Sequence, residues 1–147
     1  MGTAEIYSGS LLIESCIITY GNAASQLLTD MIREEIETMW NEPRGTVIFA
    51  GTVYPVQFRI NAHYQPAITD LDIYQNLDPR NNYFRIEEFV QGNISFVDGI
   101  GCNSGFFKLE NLYKGSTTAA HEYGHTLGLE HPEDLDLRGK GVPGIMY

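Results

Sequence analysis

Positive charge is scarce in this chain: nine lysines and arginines stand against nineteen aspartates and glutamates, for a formal net charge of −10. The nine are scattered, so no basic surface is available to neutralise a row of phosphates, and neither nucleic acid nor an anionic membrane face is an expected partner. Cysteine is scarcer still. Cys16 and Cys102 allow at most one disulfide and lack C-x-x-C spacing, which excludes a zinc ribbon or a dithiol redox motif and leaves their pairing and the compartment open. No apolar run reaches the roughly 20 residues of a membrane span. The most apolar stretch, residues 11–18, is interrupted by Glu14, has no basic run before it and no small-residue cleavage site after it, so it reads as a strand and no signal peptide is visible. Ile6 stands where an N-myristoylation signal would need Ser or Thr. Repeats and low-complexity linkers are missing too, which excludes solenoids and tethered arrays.

What is present is one domain's worth of core: 147 residues, 43% hydrophobic, read as a single unit over residues 1–147. Residues 11–20 read as a buried strand between Ser8-Gly9-Ser10 and Gly21-Asn22. From about Ala23 to Trp40, Ala24, Leu27, Leu28, Met31, Ile32, Ile36, Met39 and Trp40 recur at three- and four-residue steps, predicting a helix with Asn22 as N-cap, Pro43 just beyond its end, and the whole stripe in the core. The period then changes to two. Val47, Phe49, Val56, Phe58, Ile60 and Ala62 predict two strands around Gly51-Thr52, with His63 a half-exposed strand residue. Residues 65–82 read as a loop, and 83–89, 94–97 and 106–109 as short extended segments. Helical patterning returns at Ser116 or Thr117 and stops near Gly128, and the tail 132–147 has no period. The fold class is α+β: a twisted mixed sheet packed on helices, with an irregular C-terminal tail.

The chemistry is concentrated in His121-Glu122-x-x-His125-x-x-Gly128-x-x-His131. His121 and His125 are four apart, so on a helix their imidazoles share one face one turn apart and can hold one ion together. His131 lies six residues further, about 9 Å along the axis if the helix continued. The helix must therefore end and the chain turn back. Gly128 sits where that turn is needed and can enter a left-handed cap, while Pro132 forbids resumption of the helix. Three imidazoles leave a fourth tetrahedral position for water, the arrangement of a catalytic rather than a structural zinc. Glu122, next to the first ligand, is the candidate general base for that water and general acid for a leaving amine. A match at five fixed positions, three of them a rare residue, arises by accident in a chain this size about once in a hundred thousand.

This pattern, followed by Pro143-Gly144-Ile145-Met146-Tyr147 as a methionine turn, resembles the signature of the metzincin zinc endopeptidases. Residues 124–132 look most like the serralysin form and Ile145-Met146-Tyr147 like the matrixin form. The likeness covers most of the chain, although its specific motifs lie within 121–147. It implies one catalytic Zn2+ on His121, His125 and His131, peptide or protein substrates, export from the cell, Met146 as an apolar floor beneath the metal, and an edge strand within 83–97 on which an extended peptide lies. Asp98-Gly99-Ile100-Gly101-Cys102-Asn103 resembles a matrixin calcium loop and makes Ca2+ a second candidate ion; the same residues also make plain turns. Two departures stand out. The helix that usually follows the methionine turn would begin after Tyr147, and Tyr147 stands one position after the methionine rather than two. Two other readings use the same site: a zinc-binding domain without turnover, and a zinc hydrolase of non-peptide amides.

Overall fold

The computed structural model describes residues 1–132 and 144–147. The expected irregular tail therefore lies outside the described residues over 133–143, including Pro143 of the turn motif. In chain order the elements are β1 (Thr3–Tyr7), β2 (Ser10–Tyr20), α1 (Gln26–Asn41), β3 (Thr46–Phe49), β4 (Thr52–Tyr64), α2 (Asp70–Tyr74), β5 (Asn81–Glu87), β6 (Phe96–Val97), β7 (Ser104–Lys108) and α3 (Thr118–Thr126). The architecture is mixed α+β: one sheet in the order β3-β4-β2-β5-β7-β6, with β1 lying along the first half of β2. β2 runs parallel to β4 and β5, and β5 to β7, while β3–β4 and β6–β7 are antiparallel.

The central strands β2 and β5 are the most buried of the sheet, with consecutive residues covered along each. Leu12, Ile17, Ile18, Phe84 and Ile86 are all buried, and Phe84 stacks on Phe107 of β7 at 4.2 Å between centroids. The β3–β4 hairpin turns on Ala50 and Gly51, both at positive φ, as a two-residue loop requires. Pro55 stands on β4 just before its ladder with β2 begins at Val56, so its missing N–H interrupts no central pairing.

α1 crosses from β2 to the hairpin and packs on β4 and α3. Its N-cap is Ser25, not the expected Asn22. Ser25 is extended and its hydroxyl accepts from the Leu28 amide at 3.2 Å, while the Ala24 amide is already tied back to the Gly21 carbonyl. Leu28, Ile32 and Ile36 are core, as expected. Leu27, at 73% exposure, and Met31 are not: the apolar stripe is wider than the surface that covers it. Two elements had no sequence assignment. β1 folds back on β2 through Ser8-Gly9, and α2 breaks the 65–82 loop with a capping box in which Thr69 and Asp72 bond reciprocally. Cys16 and Cys102 are both free thiols. Among the described residues no helix is long and apolar enough to cross a membrane.

Candidate functional site

One side of α3 is fixed in the core and the other carries the histidines. Ala119, Ala120 and Tyr123 are fully buried, and the Tyr123 hydroxyl meets that of Ser15 on β2 at 2.8 Å. The helix ends as the glycine position requires. Gly128 has φ +92°, its amide donates to the His125 carbonyl at 3.0 Å, and the Leu129 amide donates to the Gly124 carbonyl at 3.1 Å. These two bonds make a Schellman cap, which satisfies carbonyls that the helix end would otherwise leave orphaned and turns the chain back toward its own helix.

The turn brings the third histidine home. The Nε2 atoms of His121 and His125 are 3.1 Å apart, those of His125 and His131 3.2 Å, and those of His121 and His131 2.9 Å. The other ring nitrogens decide what these contacts are. His121 Nδ1 donates to the Ile145 carbonyl and His125 Nδ1 to the Leu129 carbonyl, each at 2.7 Å; a carbonyl can only accept, so both Nδ1 atoms carry the proton and both Nε2 atoms present bare lone pairs. A single proton on His131 satisfies one edge of the triangle and leaves two lone pairs facing each other. A cation satisfies all three. Three imidazole nitrogens at this spacing are a donor set that would hold a divalent ion such as zinc, which would bring Lewis acidity to the site. The donor set thus fits a divalent metal. Among the described residues, these three histidines are the one cluster of His, Cys, Asp or Glu able to hold an ion.

Burial grades across the site, with His125 buried, His121 half-buried and His131 exposed, so the triad opens on the surface. Burial, with the neighbouring imidazoles, holds His121 below the ordinary imidazole value, against the upward pull of the Ile145 carbonyl. The neutral ring that results is the one able to ligate. Glu122 is buried on α3, three residues before His125 and hence beside it on the helix surface. Burial pushes its carboxyl up to about 7, against the opposing hydrogen bond from the Val97 amide of β6; a cation at the triad would draw it down again.

Sequence reasoning named His121, Glu122, His125, Gly128, His131 and Met146, and all six lie on α3, its cap or the segment folded against it. It missed Gly124. A Cβ on Gly124 would stand 2.1 Å from Met146 Sδ and 2.9 Å from Trp40 Cζ2, so the bare helix surface between His121 and His125 is what lets the thioether and the indole approach. It missed the Ile145 and Leu129 carbonyls, which orient the rings and have no side-chain signature, and it missed Glu35 of α1, bonded to the first turn of α3. The 98–103 loop braces the same helix: Gly101 donates to the His125 carbonyl at 2.8 Å, and the Asp98 carboxylate accepts from the Ser104 hydroxyl. His63 is exposed on β4 and does not join the triad. No protein-family model matches the chain, and no curated protein is found to be similar to it.

Proposed function

We propose that this chain is a zinc-dependent endopeptidase of the metzincin type, with His121, His125 and His131 as metal ligands and Glu122 as general base. The observation that carries the reading is the convergence of three Nε2 atoms within 3.2 Å of one another, two of them stripped of their proton by carbonyl bonds at Nδ1. When bound, zinc would supply Lewis acidity, making water a better acid and a carbonyl carbon a better electrophile. Glu122 takes the proton of the attacking water on its carboxylate and returns it to the departing amine nitrogen as the C–N bond breaks. The carbonyls of Ile145 and Leu129 hold the imidazoles in the ligating tautomer throughout.

Two further features support the metzincin likeness. Met146 lies against α3 at Gly124, between the two ligand turns. Of the strands within 83–97, β5 is paired on both sides while β6 ends the sheet next to α3, so β6 is the edge strand of that region, with its Val97 amide directed to Glu122.

Glu122→Gln tests the assignment, because it keeps size and hydrogen bonding and removes proton acceptance. The variant should fold, carry zinc by elemental analysis, and cleave a peptide library about 10²–10⁴-fold more slowly than the parent. Equal cleavage with zinc retained would remove Glu122 as the base. A parent that holds zinc and cleaves nothing would favour the binding module, and one that holds no zinc would end the metal reading.

A further inference from the structure

α3 makes no N-terminal cap of its own. Thr117, at the N-cap, has φ −117° and ψ 5° and its side chain forms no capping bond, and the first turn contains no acidic residue. The first amides of a helix lack intrahelical partners and carry the positive end of its dipole, so something else must meet them. Glu35 does so from α1. Its Oε1 accepts from the Ala119 amide at 2.8 Å and the Ala120 amide at 3.2 Å, and its Oε2 from the Ser116 hydroxyl at 2.8 Å. Further along α1, Trp40 Nε1 donates to the Ala120 carbonyl at 2.9 Å. Both polar groups of Ala120 are therefore held by α1 side chains, and His121 is the next residue.

We propose that Glu35 is a positioning residue of the metal site, fixing the register and rotation of α3 and thereby the Nε2 atoms of His121 and His125 relative to His131. This rests on the triad being a metal centre. Among the described residues no lysine or arginine pairs with Glu35; the neighbouring Arg33 is engaged by Glu37. Its partners are the three donors of the α3 entry. Burial raises its carboxyl above the ordinary value in spite of those three bonds, so placing a carboxyl here carries a desolvation cost. What a carboxylate offers at this point is direction: two amides and a hydroxyl converge on it, and a helix so held can neither slide nor roll without breaking a bond. A cap contributed by α1 also ties the position of α3 to the element that carries Trp40, which an N-cap on Thr117 would not do.

Cobalt(II) is the probe, because its visible d–d spectrum reports ligand geometry in folded protein independently of stability. The full chain and three variants are titrated with the ion. Glu35→Ala removes the acceptor, Glu35→Asp keeps the charge and withdraws it by one methylene, and Glu35→Gln keeps an oxygen for the two amides. Glu35→Ala and Glu35→Asp should bind cobalt(II) about tenfold more weakly, the lower end of what outer-shell partners contribute, and show an altered spectrum at saturation. Glu35→Gln should restore both affinity and spectrum. If Glu35→Ala fails to fold, Glu35→Asp against Glu35→Gln decides. Parent affinity and spectrum in the Ala and Asp variants, or damage in Gln equal to that in Ala, overturns the proposal while leaving the metal centre standing. A parent that takes up no cobalt(II) overturns the metal reading itself, and this inference with it.

Discussion

Gly128 offers a sharp test because its structural demand is purely conformational. A Cβ there would meet nothing within 4 Å, so no substitution at this position is excluded by space. Its φ of +92° is another matter, since an L-residue in left-handed geometry costs roughly 1–2 kcal/mol, more when β-branched. Asn tolerates the left-handed region better than other L-residues. The order of damage should therefore be Asn, then Ala, then Val, unrelated to side-chain volume or polarity. For a chain of this size a loss of 1–2 kcal/mol lowers the melting temperature by about 3–8 °C. The same energy reappears in metal binding, because the Gly128 and Leu129 bonds of the cap are what return the chain to the triad and set the Leu129 carbonyl against His125 Nδ1. If the cap opens in the variant and the ion must reclose it, affinity falls about 5–30-fold. Thermal melts and zinc titrations of the three variants read both quantities. A Gly128→Val protein with the parent's melting temperature and zinc affinity, or a series ordered by size, would refute the reasoning.

Gly124 should behave in the opposite way. Gly124→Ala has no φ penalty but puts a methyl 2.1 Å from Met146 Sδ, so overpacking of about 1–3 kcal/mol is expected, relieved in the double variant with Met146→Ala; additive melting shifts would show that the two do not touch. His131→Ala removes one corner of the triangle and should lower zinc occupancy markedly in a folded protein, measured by elemental analysis after dialysis; full occupancy would take His131 out of the site. Burial raises the Glu35 carboxyl, ahead of the opposing bonds from Ser116, Ala120 and Ala119, so folding favours the protonated form. That contribution is complete below the unfolded value near 4.5 and is lost as pH rises through the higher folded one. Glu35→Gln does not ionise, so its melting temperature relative to the parent should rise as pH is raised above 4.5; a difference independent of pH from 4 to 7 would contradict this.

The features legible in the sequence are those encoded locally. The 3.6-residue recurrence over Leu28, Ile32 and Ile36 announces α1, and the spacing of His121, His125, Gly128 and His131 announces a helix, a stop and a return, because each depends on the geometry of a few consecutive residues. Even so, the cap moved from Asn22 to Ser25, since both are good cap residues and the choice was made by the turn from Gly21 to Ala24. The placement of β2 between β4 and β5 could not be read, because strand alternation states which face is buried and not which strand lies alongside. The Thr69-x-x-Asp72 box of α2 is a local signal, but it is set among prolines and asparagines whose pattern reads as a loop. Glu35 was hidden for a deeper reason: on α1 it looks like any solvent-facing charge, and its partners are 81–85 residues away.

Under the proposed metal reading the requirement on α3 is stricter than on an ordinary core helix, and that reading accounts for why so many groups converge there. Metal–ligand distances tolerate about ±0.2 Å, whereas side-chain tips stand about 5–6 Å from a helix axis, so a roll of only 20° would carry Nε2 about 2 Å. Hydrophobic contact alone does not resist a roll of that size, being non-directional. Directional contacts do. Tyr123 is tied to Ser15 on one side, Ala120 is bracketed by Glu35 and Trp40 at the entry, and His125 accepts from Gly101 and Gly128 at the exit. Met146 fills the notch at Gly124 while its neighbour Ile145 fixes the His121 ring. Each of these fixes the helix from a different element, β2, α1, the 98–103 loop and the 144–147 turn, so His121 and His125 are aimed by the assembled fold and not by their helix alone.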